Sequence, residues 1–289
     1  MIRSTLARLF RVPTLYDFNK ANETLQHLQA KVTRLESELQ VQRQEVNQLR
    51  DSSVFHLRYY TNIPFNKQSF RKRMADELFS RIKPVAIVET GTNIGNTTQY
   101  FATKQAPLFG IEFNEILHAI SSIRLNHLPH VEIIQGDSVD VMKKRKFGDN
   151  NGIVFFYLDA HWYNNLPLKE EMNLVARDYD RFVVMIDDFS VHDDTDYGFD
   201  TYPGIGSLSL PYIRNSLQKE FGYYYPACQG INEDSFRRGA IVICDPSSRQ
   251  LLDGVETLRP VNTTFVHAVI AGEVTSIEGG NAAYHSVGT

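Results

Sequence analysis

Three carboxylates in two short stretches are the groups in this chain best placed to do chemistry: Asp159 in Asp159-Ala-His161-Trp162, and the pair Asp187-Asp188. Each stretch follows directly on an apolar run, Ile153–Leu158 and Phe182–Ile186. If those runs are neighbouring strands of one sheet, the three acids meet at a single mouth. Like charges gathered there repel unless protons or a cation compensate them. An all-oxygen set with open positions suits Mg²⁺, or Mn²⁺, better than zinc. The alternative is that one Asp caps the next segment and another faces water. Two histidines lie close in sequence, His161 and His192. Histidine titrates near neutral pH and suits a general base within hydrogen-bond reach, with His161 the first choice and His192 the second. Either could instead be a metal ligand or a polar loop residue.

Three more acids follow earlier apolar runs. The first run ends in Glu89-Thr-Gly91-Thr92-Asn-Ile-Gly95-Asn96, where the two glycines permit a tight turn and close backbone approach to a ligand. The second ends in Glu112, where a carboxylate can accept both hydroxyls of a ribose, and the third in Gly136-Asp137-Ser138, a polar turn able to meet an adenine edge. Any one of them could be an ordinary helix cap, but three at three successive strand ends point to a nucleotide-like ligand. The spacing is not Gly-x-Gly-x-x-Gly, so a dinucleotide site is poorly supported.

The elements that must position these groups can be read from the pattern. β-rich runs at 85–90, 108–113, 131–135, 153–159, 182–187, 222–226 and 240–244 alternate, over the first several, with segments of helical period such as 97–103, 117–126 and 168–179. That alternation predicts a doubly wound, mostly parallel seven-stranded α/β sheet with helices on both faces, closed by an antiparallel edge pair. Ligands of such sheets bind outside the carboxyl ends of the strands. Lys169-Glu170-Glu171 after Pro167 reads as an ordinary first helical turn. The segment 193–204, rich in Asp, Tyr and Gly, reads as a surface lid or as a sugar-binding face.

Ahead of the sheet, two seams run three and four residues apart: Phe18, Leu25, Val32, Leu39 and Val46, and Ala21, Leu28, Leu35, Gln42 and Leu49. A two-residue stripe without Pro or Gly predicts a coiled coil over 18–50 and a homo-oligomer through it, with Gln42 fixing register. The remaining divisions are a basic arm at 1–17, a linker and amphipathic helix at 51–83 with Asp51-Ser-Ser53 breaking the first helix, the sheet domain at 84–246, and a C-terminal extension at 247–289 whose last residues are mobile. The arm, with Arg3, Arg8 and Arg11 and no acid in its first eleven residues, reads as a solvated lead-in; a transit peptide or a peripheral membrane contact is the other possibility.

Composition limits the classes. A net charge of −4 offers no basic field for nucleic acid. No apolar run approaches the roughly 18–20 residues of a membrane-spanning helix. Two cysteines without metal spacing, Cys228 and Cys244, fit a reducing, cytoplasmic compartment and exclude a disulfide framework.

Over about 84–245 the chain resembles the class I S-adenosylmethionine-dependent methyltransferases of Rossmann-like fold, through Glu89-x-Gly91-x-x-x-Gly95, Glu112 and Asp137-Ser138 in order. By that resemblance Glu89 and the turn Gly91, Thr92, Gly95 and Asn96 would hold the methionine part of S-adenosylmethionine, Glu112 the ribose, and Asp137 with Ser138 the adenine. Asp159, Asp187 and Asp188 resemble the Mg²⁺ ligands of metal-dependent O-methyltransferases of the catechol and macrolide-sugar types. The base departs from both patterns: Trp162 stands where the catechol type has Lys, and Ser190 where the macrolide type has His. The resemblance implies methyl transfer to a hydroxyl of a sugar, glycan or related small molecule. Two other readings stay open: a non-catalytic scaffold whose α/β domain binds a nucleotide-like ligand, and an NAD-dependent oxidoreductase acting on nucleotide sugars.

Overall fold

A computed structural model describes residues 15–58, 63–149, 151–161 and 166–276. The chain divides into two units, Met1–Arg58 and Tyr59–Thr289. In the first, α1 (Leu15–Arg58) is one unbroken helix of 44 residues, about 66 Å long at ~1.5 Å per residue. It runs straight through Asp51-Ser-Ser53, where a break was expected. Asp and Ser cost a helix interior only about 0.7 kcal/mol each or less, and no Gly or Pro intervenes. The first fourteen residues of the basic arm, and the last residues of the C-terminal extension, lie outside the described residues.

The second unit begins with α2 (Ser69–Ile82), followed by β1 (Ala86–Thr90), α3 (Asn96–Ala102), β2 (Leu108–Glu112), α4 (Glu115–Leu125), β3 (Val131–Gln135), α5 (Ser138–Lys144), β4 (Val154–Leu158), α6 (Leu168–Asp178) and β5 (Phe182–Ile186). A small hairpin of β6 (Thr201–Tyr202) and β7 (Gly206–Ser207) leads to β8 (Gly222–Pro226) and β9 (Ile241–Cys244). Then come α7 (Arg249–Leu252), β10 (Leu258–Pro260) and α8 (Thr263–Ala271). The sheet order is β10-β8-β9-β5-β4-β1-β2-β3. Strands β1 to β5 are mutually parallel, and β9 runs antiparallel between β5 and β8.

This is the doubly wound, mostly parallel α/β architecture that the alternation predicts, with all seven anticipated strands in place. Two details differ. The sheet has an eighth strand, β10, from the segment read as an extension; it pairs antiparallel with β8 and forms the edge. The β8/β9 pair is therefore internal. A three-residue strand ending in Pro260 offers no alternation to read, and proline is tolerated there because an edge strand needs no further ladder.

Alternate residues of the central strands enter two separate cores. Val154, Phe156 and Leu158 of β4 pack with Met172 and Val175 of α6 and Val266 and Val269 of α8. Phe155 and Tyr157 point the other way, to Met74, Leu78 and Phe79 of α2 and Phe101 of α3. Burial on both faces is why β4 and β5 read as continuous apolar runs instead of alternating ones. It also leaves only the strand ends free to hold polar groups.

Candidate active site

At the end of β1 the chain turns through Gly91 and Gly95, both left-handed, with φ of 77° and 80°. A Cβ on Gly91 would lie 2.5 Å from the Asp159 carbonyl oxygen, so glycine lets the β1 turn close against the β4 end. Gly95 caps α3, which Asn96 opens. Thr92 is buried, and its Oγ1 has no protein partner. Glu89 is fully buried and accepts from the Thr98 hydroxyl of α3; burial pushes its carboxyl up to about 8.

Glu112 ends β2 with its carboxylate spanning the turn. One oxygen accepts from the Asn93 amide at 2.7 Å, the other from the Asn114 amide at 2.8 Å. Burial raises its pKa against the pull of those amides. Each oxygen keeps a second lone pair for a ligand hydroxyl. Asp137 caps α5, accepting from the Asp140 amide at 3.1 Å, and Ser138 beside it is buried. Glu89, the Gly91 turn, Glu112 and Asp137-Ser138 thus stand at three consecutive strand ends in the order β1, β2, β3.

The ends of β4 and β5 carry the second cluster. Asp159, His161 and Asp188 each offer one donor atom, and the three atoms lie within 4.8 Å of one another. The His161 Nε2 is 3.4 Å from Asp188 Oδ2, 3.4 Å from Asp200 Oδ2 and 3.7 Å from Asp159 Oδ1. Burial alone would disfavour the imidazolium, yet the surrounding carboxylates of Asp188, Asp200 and Asp187 outweigh it and raise the His161 pKa. Asp159 is pushed well above the usual carboxylate range by burial and by Asp187, Asp188, Glu89 and Asp200. Asp188 goes the other way: burial is overcome by His161 and by Arg238, which donates to its Oδ1 at 2.7 Å.

Asp187 does not join this group. Its two oxygens are taken by Arg71 of α2 and by the Tyr157 hydroxyl of β4. The adjacent Asp188 has φ of 50°, and that left-handed step sends the two neighbouring carboxylates to different partners. In place of the three aspartates predicted, the converging set is two aspartates and a histidine. His192 is engaged elsewhere. Its ring stacks on Phe265 of α8 at 3.6 Å, its Nδ1 lies 3.3 Å from the Tyr225 hydroxyl, and burial lowers its pKa. Trp162 lies outside the described residues.

Four participants were not anticipated. Arg238 bridges Asp188 and Asp200. It stands three residues ahead of β9, and an antiparallel strand brings its start, not its end, to the carboxyl edge of its parallel neighbours. Arg71 sits on a helix whose other basic residues face solvent, yet it is buried. Asp200 and Tyr202 come from the 193–204 segment: the one proton of the Tyr202 hydroxyl is shared between two acceptors, Asp200 Oδ2 at 3.2 Å and the His161 carbonyl at 3.1 Å. Tyr197 and Phe199 of that segment are buried, which ties it to the fold and removes them as stacking surfaces. Glu171 lies in the first turn of α6 as expected, but it is buried, with its carboxyl pushed up to about 7 by that burial.

The residues fit a divalent cation: two carboxylates and an imidazole converge, with Asp200 alongside. An imidazole among oxygens keeps Mg²⁺ in play and makes Mn²⁺ more comfortable than an all-oxygen set would. They also fit a hydroxylated, nitrogenous ligand, given the glycine cradle and the unpartnered Thr92 hydroxyl.

No family model matches the chain, and no curated protein matches it. Solved structures similar in shape include an O-methyltransferase from Bacillus cereus in complex with SAH. That protein is 15% identical, with 68% of this chain and 90% of that one covered and a TM-score of 0.45. Another is the O-methyltransferase TomG from Streptomyces achromogenes, in complex with SAM, at 17% identity, 61% and 79% coverage and a TM-score of 0.43. At such identities and TM-scores the function rests on the residues themselves.

Proposed function

We propose that the chain is an S-adenosylmethionine-dependent O-methyltransferase that uses a divalent cation, Mg²⁺ or Mn²⁺. The observation that carries this reading is the convergence of Asp159, His161 and Asp188 at the sheet edge where the Gly91 turn, Glu112 and Asp137-Ser138 end the first three strands. When bound, S-adenosylmethionine supplies an electrophilic methyl group on a sulfonium, and the cation makes an acceptor hydroxyl easier to deprotonate.

The chain's own residues do the rest. The Gly91 turn admits the ligand close to the backbone, Glu112 accepts ribose hydroxyls through its remaining lone pairs, and Asp137-Ser138 meet the adenine edge. Asp159, Asp188 and the neutral His161 ring hold the cation. Asp200 is the carboxylate left beside them, and burial and the Asp188 charge raise its affinity for a proton. It takes the acceptor's proton, while Tyr202 fixes its orientation. This moves the base from His161 to Asp200, because the His161 Nε2 faces the same point as the two ligand carboxylates. Catalysis is then largely positioning of two reactants in line. The acceptor is a hydroxyl-bearing ring, of the sugar or glycan class or a related small molecule, with the half-buried Tyr202 as its aromatic wall.

A ligand-binding domain without turnover is the second reading. It is favoured by Arg238, whose guanidinium already compensates Asp188 and Asp200. Calorimetric titration with S-adenosylhomocysteine, with and without Mn²⁺ and with NAD as control, comes first, followed by a screen of sugar and phenol acceptors. Micromolar binding and metal-dependent methylation support the enzyme, binding without any turnover the second reading, and binding of NAD alone overturns both. Asp200→Asn is expected to lower kcat at least tenfold with cation affinity retained, whereas His161→Ala lowers the cation affinity itself.

A further inference from the structure

Helix α1 presents an apolar row, Phe18, Leu25, Leu28, Val32, Leu35 and Leu39, each between 48% and 71% exposed. A row of that length left in water marks an interaction surface. With Phe18, Leu25, Val32, Leu39 and Val46 as heptad positions a, and Ala21, Leu28, Leu35, Gln42 and Leu49 as d, the flanking positions follow from the sequence. Position e holds Asn22, Gln29, Glu36, Arg43 and Arg50; position g holds Thr24, Lys31, Glu38 and Glu45.

We propose that α1 pairs with α1 of a second copy of this chain as a parallel, in-register, two-stranded coiled coil. In that arrangement each g residue meets the e residue of the following heptad on the other helix. Lys31 then faces Glu36 of the second copy, Glu38 faces Arg43, and Glu45 faces Arg50. All three pairs are opposite in sign, each occurs twice by symmetry, and no like-charged pair is made. An antiparallel pair of the same overlap sets g against g and e against e. It joins only Lys31 to Glu38 and leaves Glu36, Arg43 and Glu45 opposite Gln29, Asn22 and Thr24. The seam agrees. Parallel register sets the Gln42 amide opposite its own copy, where the two can hydrogen-bond; antiparallel register sets it against Leu25, unpaired. Valine at two of the five a positions, Val32 and Val46, with Leu28, Leu35 and Leu49 at d favours two strands over three or four; the other a positions are Phe18, Leu25 and Leu39. Within one helix Glu38 also pairs with Arg34 at 2.8 Å, an exposed contact that leaves its second oxygen for the other helix.

The test uses the full chain in sedimentation equilibrium with two triple variants. One reverses the g charges (Lys31→Glu, Glu38→Lys, Glu45→Lys), the other the e charges (Glu36→Lys, Arg43→Glu, Arg50→Glu). The unaltered chain is expected to be a dimer. Each variant alone turns all six contacts repulsive, and its dimer weakens about a hundredfold. An equimolar mixture of the two restores every contact and dimerises as tightly as the unaltered chain, which also shows that both variants still fold. Three results would overturn the proposal: an unaltered chain that is monomeric or larger than a dimer, a g-reversed variant that dimerises undiminished, as antiparallel pairing gives because Lys31 and Glu38 change sign together, or a mixture that fails to recover.

Discussion

Two adjacent aspartates with the same side chain do different work here, and substitution separates them. Asp187 is the counter-ion of a guanidinium buried with it, so Asp187→Asn strands the Arg71 charge. Breaking a buried pair from one side costs about 3 kcal/mol or more, enough to lower Tm by roughly 6–12 °C in a domain of this size. Asp188→Asn keeps a residue that tolerates the left-handed backbone and leaves the second core untouched. It is expected to reduce Mn²⁺ affinity at least tenfold in calorimetry, with a smaller change in Tm than Asp187→Asn. Glu89 makes a pH prediction. Its folded pKa is raised to about 8 from 4.5, so between those values the folded chain holds a proton that the unfolded chain has released. That contribution is complete below pH 4.5 and is lost as pH rises through 8. Glu89→Gln is neutral at every pH. The Tm of the unaltered chain, minus that of the variant, is therefore expected to fall between pH 5 and 8 and level off above 9. The acids at the strand ends are legible in the sequence because apolar runs stop abruptly there. Adjacency alone could not tell Asp187 from Asp188, whose difference lies in one backbone angle.

At the scale of elements, the closeness of the β1 turn to the β4 end decides how much change the site tolerates. Gly91→Ala meets both a φ of 77° and the Asp159 carbonyl, and neither can be relieved without moving a strand end. A loss of about 1–3 kcal/mol in stability is expected from the backbone conformation alone. Affinity for S-adenosylhomocysteine should drop more than tenfold; an alanine variant that binds unchanged would show that the turn does not face the ligand. The parallel strands were legible because burial on both faces writes uninterrupted apolar runs, and the turns because glycine and acids follow them. Arg71, Arg238 and Glu171 were not legible. A lone buried charge on an amphipathic helix, or ahead of an antiparallel strand, looks like its solvated neighbours until the partner that compensates it is known. Asp200 and Tyr202 stood within a segment marked as polar and aromatic, but only the fold shows which two of its residues reach His161.

For the whole molecule, the division at Arg58 predicts that binding and association are separable. A chain beginning at Tyr59 is expected to keep its affinity for S-adenosylhomocysteine within about threefold and to lose dimerisation; sedimentation and calorimetry on that chain check both. Chelation with EDTA should abolish methyl transfer and leave the association state unchanged, since the seams of α1 hold no metal-binding group. The heptad spacing over 18–50 is readable because it is a property of sequence alone, and the structure shows one helix through that stretch. Among the described residues, no helix is long and apolar enough to cross a membrane.

The antiparallel entry of β9 has a consequence for the order in which the polypeptide is made. Asp159, Asp187 and Asp188 leave the ribosome before the arginine that bridges Asp188 to Asp200, which follows fifty residues after Asp188. At ~5–20 residues per second, that interval lasts about 3–10 s. Until then Arg71 and His161, made earlier, offset the gathered acids without it. Nascent chains arrested near residue 200 should therefore stay protease-sensitive around β4 and β5, and chains arrested well past the release of Arg238 should not. A segment translated after the five parallel strands acts as the electrostatic latch on their acidic ends.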